Sequence, residues 1–540
     1  MTTAALDHLR AAADQARAGW LPQRWERIDG PGPDGYAVTR FPSLHGPMGG
    51  IDGDLALEPG QELTIRCDLP DGERLDLMLW SLFPTAVRQG GRSLLDDDVP
   101  PAACGPALIP LEPGGRLELT VRAFDHQLYR PWHWFRFTTT EQRRRFEELD
   151  VAWAQLYLAD ALAVTAGERA AVGMAAGHAA VGRYAAMVEA LAPLGERIAA
   201  REVHLVGHSH IDLNWLWRMP DTVQIVLRDI RSVLALLDDY PEMTFTHSQP
   251  ASYRMVQEHA PELFSRIRAH IAAGRWEPAT LQWVEGDTNM ASSEATARQA
   301  LEAVLYARTE LGASPTVLLA PDTFGHAGNL PQIVASAGGR FYYHHRCNPG
   351  WPAYWWEGQD GTRLLAVSTP TYSGDITAGD LARAAVAGGD SLVSMHFYGV
   401  GDHGGGPTRE ALDALRRLQG QPLLPTARCS TVARYAEAVS ADNLPVHRGE
   451  SATTFEGCYT THADTKRFNR HGENLLQTAE TLAALAGHDD AERLGDLVEA
   501  WRTVLFNQFH DILDGSAIRE VYEDQAADFE AVAELAGVVT

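Results

Sequence analysis

Short apolar runs recur from Val203 to Phe397, and stretches with helical periodicity separate them. No other feature of the sequence restricts the fold as much. The runs are Val203–Gly207, Met243–Thr246, Trp276–Gln282, Val317–Ala320, Phe341–His344, Leu364–Val367 and Leu392–Phe397. Each is too short for a stable helix and reads as a strand candidate. Between them, stretches such as Val223–Leu237 and Ala295–Leu311 read as helices. Strands alternating with helices predict a mostly parallel α/β layer or barrel. In such folds, ligand chemistry collects in the loops past the carboxyl ends of the strands.

Outside that region the pattern changes. A helix is predicted at about Leu6 to Ala18. Leu63–Cys67, Arg74–Trp80 and Leu117–Arg122 then alternate apolar and polar residues, as half-buried strands do. Turn signals at Glu58-Pro59-Gly60 and Glu112-Pro113-Gly114-Gly115 separate them. From Thr140 to about Ala200, and again after about Arg448, the pattern is helical. The chain is therefore expected to be multidomain. Residues 1–138 form an all-β accessory domain without visible chemistry, and 139–200 a helical connector. Residues 201–447 form an α/β, barrel-like catalytic domain, and 448–540 a helical bundle segment.

The candidate chemistry sits at strand ends. The first run leads into His208-Ser209-His210-Ile211-Asp212-Leu213-Asn214-Trp215-Leu216-Trp217. Imidazole and carboxylate two positions apart are good ligands for a zinc-like divalent metal. Hydrogen-bonded surface histidines are the alternative. Asp322 follows the strand Val317–Ala320 almost directly. Far downstream, Asn507-Gln508-Phe509-His510-Asp511 places a His-Asp pair in an apolar helical segment. That histidine is either a ligand or a satisfied core residue. Asp402 follows the strand Leu392–Phe397 and opens the loop Gly401–Gly406. No Lys-Ser/Thr follows those glycines, so the loop is not a phosphate cradle.

Composition narrows the partners. A net charge of −26 over 540 residues would repel nucleic acid phosphates. It does not penalise a neutral sugar, and it attracts a divalent cation. No run of about 18 apolar residues marks a membrane span, and the N-terminus lacks the basic-then-apolar order of a signal peptide. The five cysteines are widely spaced with no CxxC pair, which fits a reduced cytoplasm. A homo-oligomer is left open.

Several motifs together resemble one family. His208-Ser209-His210-Ile211-Asp212 with Trp215-Leu216-Trp217, Pro321-Asp322-Thr323-Phe324-Gly325 running to Leu330-Pro331-Gln332-Ile333, and Asn507-Gln508-Phe509-His510-Asp511-Ile512-Leu513 look like the α-mannosidases of glycoside hydrolase family 38, cytosolic-type branch. Trp283-Val284-Glu285-Gly286-Asp287, the loop Gly401–Thr408 and Tyr459-Thr460-Thr461-His462-Ala463 also match, in order. The resemblance spans roughly residues 145 to 540. It implies a retaining, metal-dependent glycosidase that releases terminal α-mannose from oligosaccharides. It implies His210, Asp212, Asp322 and His510 as ligands of zinc, with cobalt also suited to those donors. Asp322 would double as nucleophile, and Asp402 would be the acid/base. Trp215 resembles the family's aromatic platform against the sugar. Arg346 would bind a substrate hydroxyl or the nucleophile, with His208 and His326 orienting ligands. Two departures stand out: the branch often has glycine where this chain has His403, and members usually continue for several hundred residues beyond the His510 motif into β-rich domains.

Two rival readings follow from the same residues. His208-x-His210 also matches the His-x-His of metal-dependent amidohydrolases, which would draw on His344 and His396 and leave Asp322 and His510 without roles. The other rival is an inactive carbohydrate-binding fragment.

Overall fold

The computed structural model describes residues 2–18, 24–28, 36–43, 46–51, 60–72, 74–81, 85–95, 107–122, 133–401, 405–487 and 491–539. The chain is mixed α/β and divides into two compact units, each built from separated pieces of sequence. One comprises Met1–Ser209, Arg228–Met243 and Ser373–Ser430; the other comprises His210–Leu227, Thr244–Tyr372 and Thr431–Thr540. No helix among the described residues is long and apolar enough to cross a membrane.

The first unit opens with a helix, Thr2–Ala18, that starts before Leu6 because Ala5, Leu9 and Ala13 recur every fourth residue on one buried stripe. A ten-stranded sheet follows between Arg24 and Thr138. Its strand Glu62–Asp68 pairs antiparallel with Arg116–Arg122, and Leu63, Ile65 and Cys67 turn to the same core as Leu117, Leu119 and Val121. Period-2 alternation puts one face of each strand inside. Thr139 then starts the helix Thr140–Leu162 with a capping box, its side chain accepting from the Gln142 amide while Gln142 accepts from the Thr139 amide. Later in this unit, Glu202–His208 pairs in parallel with Val393–Tyr398 on one side and Thr426–Cys429 on the other. The strand Thr426–Cys429 has no apolar run to announce it, since its side chains are half-buried or exposed.

In the second unit, Phe245–His247 pairs in parallel with Trp276–Pro278. The strand expected to reach Gln282 stops at Pro278, which has no N–H to continue a ladder. An open sheet follows in the order Val317–Ala320, Phe341–His344, Arg363–Val367, Ala353–Glu357, Val446–Arg448. Its pairings are parallel except that Ala353–Glu357 runs antiparallel to Arg363–Val367, a departure from the parallel layer the alternation suggests. The core of this sheet contains Leu318, Tyr342, Tyr354, Trp356 and Ala366.

The helices Ala463–Ala486, Ala491–Phe506 and Arg519–Val539 also belong to this unit. Gly472 lets two of them approach, because a Cβ there would lie 2.6 Å from a ring carbon of Phe529. His510 was expected within a helix, and here the structure differs. The helix ends at Phe506, and His510 opens a separate short helix, His510–Leu513. Tertiary contacts break the run: the Asp287 amide donates to the Gln508 carbonyl at 3.1 Å, and Gly286 bridges Phe509. A Cβ at Gly286 would lie 2.8 Å from that carbonyl oxygen, so glycine permits the approach.

Candidate metal centre

Four buried side chains converge in the second unit: His210, Asp212, Asp322 and His510, each offering one ligand atom within 4.8 Å of the others. His210 and Asp212 follow the strand Glu202–His208, Asp322 follows Val317–Ala320, and His510 opens its short helix. Asp212 Oδ1 is 2.8 Å from His210 Nε2 and 3.4 Å from His510 Nε2. Asp322 Oδ2 is 3.8 Å from the same nitrogen of each histidine. The two imidazoles stack, with centroids 5.6 Å apart.

Glu285 holds this group together, although sequence reasoning singled out only the motif around it. Its Oε1 accepts from the Asp322 amide at 2.6 Å and the Thr323 amide at 3.1 Å. Its Oε2 stands 3.2 Å from His210 Nδ1, and its carbonyl accepts from His510 Nδ1 at 2.8 Å. Through its fully buried carboxylate and its backbone carbonyl, Glu285 thus touches three of the four converging residues. Its position is set in turn by Gln249, whose Oε1 accepts from the Glu285 amide at 2.9 Å. Gln249 itself has a positive φ of 59°.

The donor set fits a divalent cation. Because His510 Nδ1 donates to a carbonyl, the neutral ring presents its Nε2 lone pair to Asp212 and Asp322. That nitrogen is buried and, among the described residues, meets no group that donates to its lone pair. A lone pair facing two carboxylates is repulsive until a cation or a proton lies between them. Two imidazoles and two carboxylates are borderline donors of the kind zinc takes.

Without a cation, protons take up the strain. Burial alone would push His210 down, but Glu285 and Asp212 outweigh it and hold His210 well above its ordinary value. Burial likewise opposes His510, yet its bond to Asp212 and the charges of Asp511, Glu285 and Asp322 push it up to about 9. Asp212 is lowered despite burial, chiefly by His210. Burial raises Asp322 against the pull of His210, His510 and Arg346. Asp511, next to the group, is pushed up to about 8 by burial and then by Asp212, and it accepts from Ser516 Oγ at 2.6 Å.

Asp322 divides its two oxygens. Oδ2 faces the histidines, while Oδ1 accepts a hydrogen bond from Arg346 Nε. The guanidinium also lies over the rings of Phe324 and Phe455, at 5.4 and 4.9 Å. An arginine on the nucleophile candidate was one of the two expectations for Arg346.

Trp215 is half-buried, its ring edge-on to Trp217 at 6.0 Å and its carbonyl accepting from the Ile518 amide. His326 contacts Tyr342 Oη and the Arg346 carbonyl. His208 belongs to the first unit, where its ring meets Phe397 edge-on at 5.5 Å. Asp402 and His403 lie outside the described residues, which end at Gly401 and resume at Gly405. The further histidines of the rival amidohydrolase set are engaged within their own units. Both ring nitrogens of His344 are engaged, by the Arg346 carbonyl at 2.8 Å and Tyr354 Oη at 2.6 Å. His396 Nε2 contacts the Asp375 carbonyl at 2.8 Å.

Comparison with known proteins gives a consistent pattern. Residues 200–463 match the Glycosyl hydrolases family 38 N-terminal domain, and residues 453–540 match the Alpha mannosidase middle domain. The chain is 33% identical to Alpha-mannosidase 2C1 of Homo sapiens over 347 residues, which cover 61% of this chain and 33% of that protein. It is 31% identical to an Alpha-mannosidase of Saccharomyces cerevisiae over 376 residues, covering 64% and 34% respectively. The chain thus spans about a third of the length of the curated relatives it matches. Among solved structures, an alpha-mannosidase from Enterococcus faecalis V583 superposes with a TM-score of 0.56 at 21% identity, over 63% of this chain and 42% of that one.

Proposed function

Because the chain belongs to glycoside hydrolase family 38, we propose that it is a metal-dependent, retaining α-mannosidase acting on mannose-containing oligosaccharides. The observation that carries the reading is the buried convergence of His210, Asp212, Asp322 and His510, with the His510 Nε2 lone pair facing two carboxylates. In this reading those four residues hold one zinc ion, for which cobalt can substitute. When bound, the ion supplies a template for sugar hydroxyls.

The remaining chemistry belongs to the chain's own side chains. Asp322 attacks the anomeric carbon as the bond to the leaving oxygen breaks, forming a mannosyl ester. Arg346 holds Oδ1 of Asp322 and so fixes the plane of the carboxylate. Asp402 delivers a proton to the leaving oxygen. It then takes one from water, which attacks the anomeric carbon and frees Asp322. Trp215 offers an apolar ring face to sugar C–H groups. Residues 201–447 and 448–540 together supply the site, with 1–138 accessory. Widely spaced cysteines with no CxxC pair favour a cytoplasmic location in this reading.

Release of p-nitrophenol from its α-mannoside by the purified protein tests the reading. Activity should disappear with a strong chelator and return with zinc or cobalt, and NMR should detect α-mannose as the first product. Chelator-resistant turnover, or β-mannose first, would overturn it.

A further inference from the structure

Two buried histidines that the reaction does not use close on a single atom. The carbonyl oxygen of Arg346 lies 2.8 Å from His344 Nδ1 and 3.2 Å from His326 Nε2. A carbonyl accepts only, so each of these nitrogens must carry its proton. The opposite nitrogens then accept: His326 Nδ1 from Tyr342 Oη at 2.6 Å, and His344 Nε2 from Tyr354 Oη at 2.6 Å. The two tyrosines lie on strands of the open sheet that flank Arg363–Val367, one on each side. Each tautomer is therefore dictated by its partners, and all four side chains are fully buried.

The backbone they grip is strained. Cys347, next in sequence, sits at a φ of +58°, a conformation unfavourable for a residue with a Cβ. Its thiol donates to the Phe324 carbonyl at 3.1 Å, tying the same turn to the segment that follows Asp322.

We propose that His326 and His344 are positioning residues, which together clamp the Arg346 carbonyl and so hold the Arg346 guanidinium on Asp322. Resting on the glycosidase reading for its catalytic consequence, the clamp explains why two imidazoles near the site point away from the converging ligands. A charged side chain on a long flexible stem needs its backbone fixed if its head group is to stay registered on one carboxylate oxygen. Small misplacement at such a contact is enough to cost about 100-fold in rate.

The test uses paired substitutions that do or do not preserve the donor. Asparagine places an N–H where Nδ1–H of His344 lies, and glutamine places one where Nε2–H of His326 lies. His344→Asn and His326→Gln should therefore retain the clamp, whereas His344→Leu and His326→Asn should release it. The first readout needs no turnover: alkylation of buried Cys347 by iodoacetamide, located by mass spectrometry. Release should accelerate alkylation at least about tenfold, with the donor-preserving variants within about threefold of the unmodified protein. The second readout is kinetic. His344→Leu should lower kcat by roughly 10- to 100-fold with KM nearly unchanged, and should cost nothing further in an Arg346→Ala background.

Unchanged Cys347 alkylation in the donor-lacking variants, or losses that add fully to those of Arg346→Ala, would overturn the clamp. Should His344→Leu fail to fold, the His326 pair carries the same comparison. Faster alkylation in a protein whose unsubstituted form releases no mannose leaves the clamp standing and removes the glycosidase reading. An active protein without the alkylation response removes the clamp alone.

Discussion

Replacing Glu285 by glutamine changes the site by one proton's worth of chemistry at nearly constant shape, and the outcome can be worked from the geometry. Glu285 Oε1 accepts two backbone N–H bonds, and Oε2 faces His210 Nδ1. Neither His210 Nδ1 nor Glu285 Oε2 has a hydrogen-bond partner elsewhere among the described residues. If the amide oxygen of glutamine keeps the two backbone bonds, its NH2 faces the proton on His210 Nδ1. The imidazole then moves that proton to Nε2 and loses the lone pair it would give a metal. If the amide turns round, its NH2 confronts the amides of Asp322 and Thr323 instead. Either way, at least one hydrogen bond to a charged acceptor is lost, a cost of about 1.5–3 kcal/mol. That corresponds to roughly a 10- to 150-fold weaker hold on zinc. Competition against a chromophoric chelator measures the affinity, and thermal melting checks that the variant folds. Zinc affinity within about twofold of the unmodified protein would falsify the account of Glu285 as the organiser of the ligands.

Three further outcomes are expected. Asp402→Ala should slow substrates with poor leaving groups far more than activated aryl mannosides, and azide should partly restore turnover; equal losses on both, with no azide effect, would reassign Asp402 to loop structure. Gly325→Ala should destabilise by about 1–3 kcal/mol, read from the denaturation midpoint, because its Cβ would collide with Tyr459 Oη and Asn289 Nδ2; an unchanged midpoint contradicts the packing argument. His344 is pushed down to about 4 by burial, so between its unfolded value near 6.5 and pH 4 the unfolded chain binds the extra proton and stability falls with pH. The full effect is about 3 kcal/mol. Asp229 and Asp287, both pushed up to about 6 by burial, act in the opposite direction and cancel when the unmodified protein is compared with His344→Asn. The difference in stability between those two proteins should therefore shrink steadily from pH 6.5 to 4, and a pH-independent difference argues that His344 is not buried neutral.

Local patterning carried much of the fold and little of the site's support. Val317–Ala320 and Phe341–His344 were legible because continuous apolar runs of strand length have few other uses. Thr426–Cys429 was not, because a half-exposed edge strand has no apolar run, and Ala353–Glu357 was missed among the aromatic residues around it. His210, Asp212 and Asp322 were visible as polar chemistry abruptly following a strand, where burial alone does not favour it. The break before His510 was invisible, since it depends on Gly286 meeting the Gln508 carbonyl, a contact between residues far apart in the chain.

The sequence by itself therefore determined which elements form, where donors sit along them and, through its ordered motifs, which family the chain resembles. Tertiary structure alone decided that Glu285 joins three of the four converging residues, and that His326 and His344 turn from the ligands to the Arg346 carbonyl. The physical reason is range. Strand and helix propensities act between residues a few positions apart, whereas a buried polar group is satisfied by whatever partner the fold brings within about 3 Å.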